Sequence, residues 1–203
     1  MTNYYGDDEP ESEDQRRRKL EWLHNELRAR SLRHGSAIAS GQLDLDAPGI
    51  VGVRSWMTDP HHCILVLAGP PGTGKTLSAM WWMREHAVAY QWRRPWWTTA
   101  TAFALMQRWE TEDDNTRQVV LKGDALVLDD LGSEHLAGAL PSDLDQLIDS
   151  YYSRCARLLV TTNLDGEQFR ARYGERIADR IAEAGRWVRV TGPSRRAPRS
   201  EAR

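Results

Sequence analysis

Six apolar residues, Cys63-Ile64-Leu65-Val66-Leu67-Ala68, run directly into Gly69-Pro70-Pro71-Gly72-Thr73-Gly74-Lys75-Thr76, and a helical pattern begins at once with Leu77, Met80, Trp81 and Arg84. A run of that length and composition is a buried strand. The octapeptide has the form G-x-x-x-x-G-K-[ST], and the strand before it and the helix after it are the setting this motif requires. Glycines reach backbone angles closed to other residues, so the amides of Gly69, Gly72, Thr73 and Gly74 can turn inward around phosphate oxygens at a helix N-terminus. Lys75 is expected to reach the β- and γ-phosphates of ATP, and the Thr76 hydroxyl to ligate Mg²⁺.

The rest of the chain keeps alternating. A short helix at 51–58 leads into the strand at 62–68 and the helix from Lys75 to about Tyr90. A second strand is expected at 95–99 and a helix at 100–109, then a third strand at 125–130 and a helix at 142–153. A fourth strand covers 158–162, helices follow at 167–172 and 175–183, and a last strand lies at 187–190. This alternation predicts an α/β fold with a five-stranded parallel sheet and helices on both faces. Ligands of such sheets bind beyond the carboxyl ends of the strands.

With 203 residues and 40% hydrophobic content, one substantial core with appended ends is expected. The net charge of −2 hides an asymmetry. Residues 1–14 hold six acids and no base, whereas Arg195, Arg196, Arg199 and Arg203 crowd the other end, and both read as solvated tails. Between residues 15 and 33, Leu20, Trp22, Leu23, Leu27 and Leu32 lie among arginines, which predicts a short basic amphipathic helix, either packed on the domain or docking a partner. Residues 36–49 read as a linker. The expected division is an acidic tail at 1–14, a helical extension and linker at 15–49, an ATPase domain at 50–192 and a basic tail at 193–203. Two cysteines without a Cys-x-x-Cys pair suggest neither disulfides nor a thiolate zinc site. No apolar segment approaches the roughly 20 residues that span a bilayer, and a cytoplasmic location without membrane partners is expected.

The third strand ends in Asp129-Asp130. Asp129 is expected to hold Mg²⁺ opposite Thr76, directly or through water, because a small hard cation takes oxygen ligands. Asp130 is the candidate to orient and deprotonate an attacking water, with Glu134 as an alternative base. Asn163, at the end of Thr161-Thr162-Asn163, would reach the γ-phosphate or that water. Six tryptophans, at 81, 82, 92, 96, 97 and 109, gather around the first helix and second strand; packing is the favoured explanation over a base-stacking surface.

Taken in order, the phosphate loop, Leu128-Asp129-Asp130-Leu131-Gly132, Thr161-Thr162-Asn163-Leu164 and Gly174-Glu175-Arg176-Ile177-Ala178-Asp179-Arg180 resemble the AAA+ ATPases of the DnaC-type helicase loaders and the related IstB-type transposition helpers. The resemblance covers about residues 50–196. It implies that Asn163 is the sensor-1 residue, that Arg176 or Arg180 is an arginine finger inserted into a neighbouring subunit's site, and that Arg196, in Pro193-Ser194-Arg195-Arg196, resembles sensor 2. It also implies assembly into a homo-oligomer on ATP, contact with single-stranded DNA and a replicative ring helicase as partner. The helix at 100–109, with Arg108, lines a DNA-facing channel in such proteins. An Asp at 130 where AAA+ proteins generally carry Glu departs from the wider pattern, although Asp-Asp is frequent among loaders. The competing expectations are a transposition helper on duplex DNA, a P-loop kinase of small molecules, and an adaptor that binds a helicase through residues 15–45.

Overall fold

The computed structural model describes residues 12–30, 32–90, 95–108, 118, 120–134 and 140–194. The acidic residues 1–11, Trp92, Trp109 and Arg196 lie outside them. The chain divides into two compact units, 1–43 and 44–203.

In the first unit, α1 (Glu13–Arg30) is followed by α2 (Leu32–Ala39). The Ser12 amide donates to Gln15 Oε1 and the Gln15 amide to Ser12 Oγ, a reciprocal cap that starts α1 two residues before the expected boundary. Leu23 and Leu27, one turn apart, are fully buried, and Ile38 is 4% exposed. A Cβ on Gly35 would lie 2.4 Å from the backbone nitrogen of Arg28, so the two helices meet backbone to backbone at that point. Two helices thus replace the expected single helix over 15–33, and part of the expected linker is helical. Gly35 and Ser36 are weak helix formers, but close packing on α1 outweighs their intrinsic cost.

The second unit is a parallel sheet of β1 (Ile64–Ala68), β2 (Trp96–Thr99), β3 (Ala125–Leu131), β4 (Arg157–Thr162) and β5 (Gly185–Arg189), in the order β2-β3-β4-β1-β5. Its helices are α3 (Pro48–Met57), α4 (Lys75–Ala89), α5 (Ala100–Arg108), α6 (Leu140–Arg154), α7 (Gly166–Tyr173) and α8 (Glu175–Ala184). Alternate strand residues go to opposite faces. Ile64, Val66, Leu126, Leu128, Leu158 and Val160 pack against residues of α5 to α8 such as Phe103, Leu147 and Ile177. Leu65, Leu67, Val127 and Leu159 pack with Val53 and Trp56 of α3 and Ala79 and Trp82 of α4. Both faces being covered is why these strands read as unbroken apolar runs. Each such leucine removed from water contributes about 1.5–3 kcal/mol.

The five parallel strands and two-sided helical cover agree with the expected fold, with element ends shifted by one to three residues. Trp82 and Trp56 are buried, and Trp81, Trp96 and Trp97 pack against the cores. Trp56, Trp82, His86 and Tyr90 form a continuous series of ring contacts along α4. Of the six tryptophans gathered in the sequence, the four that are described, Trp81, Trp82, Trp96 and Trp97, all pack in or against the cores. Among the described residues no helix is long and apolar enough to cross a membrane.

Candidate nucleotide-binding site

Strand order positions the site. With β4 between β1 and β3, the carboxyl ends of three neighbouring strands bring residues 69–76, 161–163 and 129–130 together. The loop after β1 runs into α4 at Lys75, with Gly74 as its N-cap residue making no side-chain cap. The first amides of a helix have no partner inside it, so this end is a place for an anion. Gly69 approaches the 190–194 segment so closely that a Cβ there would lie 2.1 Å from the Val190 carbonyl oxygen. At Gly72, φ is +84° and a Cβ would meet Ser194 Oγ at 2.2 Å, so both backbone angle and space demand glycine. The segment leading to Arg196 therefore lies over the phosphate loop.

Lys75 is 7% exposed and its Nζ donates to the carbonyls of Gly69 (2.7 Å) and Pro70 (2.9 Å) and to Asn163 Oδ1 (2.8 Å). Pro70 O also accepts from the Thr73 hydroxyl at 2.9 Å, while Pro70 and Pro71 are themselves exposed. The other end of the Asn163 amide donates to Asp130 Oδ1 at 3.3 Å. Asn163 thus bridges the loop lysine and the second acid.

The register between β3 and β4 shifts by one residue between Leu128 and Leu131. Such a bulge breaks strict alternation and re-aims side chains. Asp130, at the bulge, holds the left-handed φ of +61°, uncommon for a non-glycine residue. Its carbonyl accepts from the Ser133 hydroxyl (2.7 Å) and amide (3.2 Å), which secures the turn. Asp129 is 8% exposed, whereas Asp130 faces solvent. Thr76 Oγ1 donates to Asp129 Oδ1 at 3.2 Å and Thr161 Oγ1 to the same oxygen at 2.6 Å. Thr161 Oγ1 in turn accepts from the Asp130 amide at 2.9 Å. Burial pushes the Asp129 carboxyl above its ordinary range, against the pull of the two threonine hydroxyls.

The donor set fits the groups the motif implies. A hydroxyl and a carboxylate in contact supply hard oxygens for Mg²⁺, and a glycine-rich loop at the N-terminus of α4, with the Lys75 ammonium beside it, suits phosphate. Thr161 had no expected role; its hydroxyl links the two acids, and the signal was only its place at a strand end.

Glu134, the alternative base, is turned to other partners. Its side chain is 1% exposed; Oε2 accepts from the Gly132 amide (2.7 Å), and Oε1 from Arg172 Nη2 (3.1 Å) and the Tyr173 hydroxyl (2.5 Å). Both of its oxygens are therefore hydrogen-bonded within the chain, and none of its partners is a residue of the phosphate loop or of the acid pair. Arg176 and Arg180, on α8, bond to neither Glu175 nor Asp179 but to α6: Arg176 Nε lies 3.3 Å from Asp145, and Arg180 spans Asp145 (2.8 Å) and Asp149 (2.7 Å). Arg170 takes Glu175 and Asp179 instead. The Arg180 side chain is 21% exposed and that of Arg176 68%.

A parallel sheet with its phosphate loop after β1 and an acid pair at the end of β3 defines a P-loop ATPase fold of the AAA+ class. A family model described as IstB-like ATP binding protein matches residues 11–202, and the chain belongs to that family. No curated protein matches it. Among solved structures, a DnaC helicase loader is similar at 22% identity and TM-score 0.62, over 70% of this chain and 88% of that one. DnaI is similar at 21% and TM-score 0.59, over 77% and 89%. The replication initiator DnaA, bound to AMPPCP and single-stranded DNA, is similar at 18% and TM-score 0.59, over 71% and 46%. At these identities the likeness carries the fold alone; the family makes this chain an IstB-like ATP-binding protein, and the fold is that of the AAA+ class.

Proposed function

We propose that this chain is an ATP-hydrolysing helicase loader that assembles with further copies on ATP, contacts single-stranded DNA and helps place a replicative ring helicase on it. The observation that carries the ATPase part is the bridging of Lys75 and Asp130 by Asn163, at the mouth of a phosphate loop. The loader part is supported by likeness in fold to a DnaC helicase loader along 88% of that chain.

In this reading the loop amides and Lys75 hold the phosphates, and Lys75 exchanges its bonds to Gly69, Pro70 and Asn163 for phosphate oxygens. Thr76 and Asp129 would hold Mg²⁺, which withdraws charge from those oxygens when bound. Asp130 takes the proton of the attacking water, and Asn163 orients that water. Arg176, the more exposed of the two arginines, is the finger offered to a neighbouring copy, while Arg180 clamps α8 to α6. Arg196, two positions after Ser194 in sequence, is the sensor-2 residue that would contact nucleotide.

The family match itself favours a second reading, a transposition helper that coats duplex DNA. ATP-dependent binding to single- and double-stranded oligonucleotides at one stated salt concentration separates the two. Preference for the single strand, with capture of a ring helicase, supports the loader. Preference for duplex with no helicase overturns it. Phosphate transfer from ATP to a small acceptor, indifferent to DNA, would overturn both.

A further inference from the structure

Glu134 is a buried carboxylate with no place in the chemistry above, and it joins two parts of the chain that lie 40 residues apart in sequence. On one side is the acid turn: Glu134 Oε2 accepts from the Gly132 amide at 2.7 Å, two residues beyond Asp130. On the other is the end of α7: Oε1 accepts from Arg172 Nε and Nη2 at 3.2 and 3.1 Å and from the Tyr173 hydroxyl at 2.5 Å, and the Glu134 carbonyl takes Arg172 Nη2 at 2.6 Å. Tyr173 is 4% exposed and its ring meets Phe169 at a tilt, while Phe169 meets Trp187 of β5 edge to face, so the far side of this clamp is packed onto the sheet. Immediately after Tyr173 comes Gly174, at φ +94°, and then α8 with Arg176 and Arg180. Arg170 crosses that joint to Glu175 and Asp179, tying α7 to α8.

We propose that Glu134 is a positioning residue that locks the turn carrying Asp130 to the joint preceding the arginine helix, so that the state of this chain's own nucleotide site and the Arg176 it offers to a second copy change together. The proposal rests on the preceding reading of an ATPase completed by a neighbouring copy. Charge chemistry makes the link specific. All four groups facing the carboxylate, one amide, two guanidinium nitrogens and a hydroxyl, are donors. A carboxylate accepts on both oxygens, whereas an amide has one acceptor and must turn its NH₂ toward a donor. Glu134→Gln therefore keeps size and severs one end of the clamp.

The test uses the full chain with Mg-ATP. Wild type, Glu134→Gln and Arg172→Lys are compared for steady-state hydrolysis at several protein concentrations, equilibrium binding of a fluorescent ATP analogue, and thermal melting. Expected is a drop in kcat of about tenfold or more for Glu134→Gln, with nucleotide affinity changed less than about threefold. Arg172→Lys, which keeps the charge but loses the two-nitrogen grip, should move the same way by less. A mixing arm reads the coupling: Asp130→Asn chains, whose own site is inert, should sustain hydrolysis by added wild-type neighbours, and Asp130→Asn/Glu134→Gln chains should depress it. Unchanged kcat in Glu134→Gln, loss of affinity in step with kcat, or equal behaviour of the two doped chains overturns the inference. A wild-type rate per chain that is independent of protein concentration overturns the assembly reading itself, and the inference with it.

Discussion

The phosphate loop and the arginine helix are both charged and both assigned to one reaction, yet they are built in opposite ways. The loop is mainly local: eight consecutive residues, with Gly72 and Gly74 at φ of +84° and +100°, and a lysine already aimed at the loop's own carbonyls of Gly69 and Pro70. The arginines on α8 are defined by distant partners, Asp145 and Asp149 on α6 and, through α7, Glu134. A motif whose geometry closes on itself keeps its meaning in one dimension. A charge on a helix surface does not, since the carboxylate it faces decides whether it is a clamp or a free hand.

Several substitutions break or sharpen that contrast, beginning at the loop. Lys75→Ala removes an ammonium that phosphate oxygens would share, so ATP affinity should fall by about 100-fold or more and hydrolysis with it; calorimetric titration with ATP at wild-type affinity would refute the site. Asp130→Asn should leave affinity within a few-fold and lower kcat by roughly 10²–10⁴. Next comes the arginine helix: Arg176→Ala should spare folding and binding and reduce concentration-dependent turnover by at least about tenfold. Arg180→Ala leaves Asp145 and Asp149 facing each other without their shared cation, so its main effect should be a lower melting temperature. Equal melting temperatures and equal turnover for the two variants would erase the distinction drawn between them.

Smaller effects come from two aspartates. Burial lifts the Asp129 carboxyl above its ordinary value, so its ionised form costs stability at neutral pH, and that cost disappears as pH falls through the raised value. Asp129→Asn should melt at a higher temperature than wild type at neutral pH, by about 2–4 °C per kcal/mol relieved, while losing any stabilisation by Mg-ATP. A lower melting temperature would mean that the threonine hydroxyls outweigh burial. Near the amino ends of the strands, the His61 amide and then the His62 side chain hold Asp59 down to about 2. Its contribution is complete above the ordinary carboxylate range and fades as pH falls from about 4 to about 2. The melting difference between wild type and Asp59→Asn should close over that interval, and a constant difference would assign it to something other than ionisation.

The strands were legible because both sheet faces are covered, which writes each of them as an apolar run. Asp129 and Asn163 were legible because strand ends in a parallel sheet are where ligands lie. The helix α2 was not, because glycine and serine disfavour it locally and only contact with α1 stabilises it. Glu134 looked like a spare base from its position two residues after Gly132. Its partners, Arg172 and Tyr173, follow some 40 residues later, and nothing local announces them.

By itself, then, the sequence determined the parallel sheet, the phosphate loop and the acid pair, since period, glycine geometry and strand-end position are local properties. Tertiary structure alone decided that Asn163 joins Lys75 to Asp130, that the bulge at Asp130 turns it outward while Asp129 stays buried, and that Glu134 and Arg180 are clamps. Those outcomes depend on which strands and helices become neighbours, and the direction of a hydrogen bond between distant residues exists only once the chain has folded.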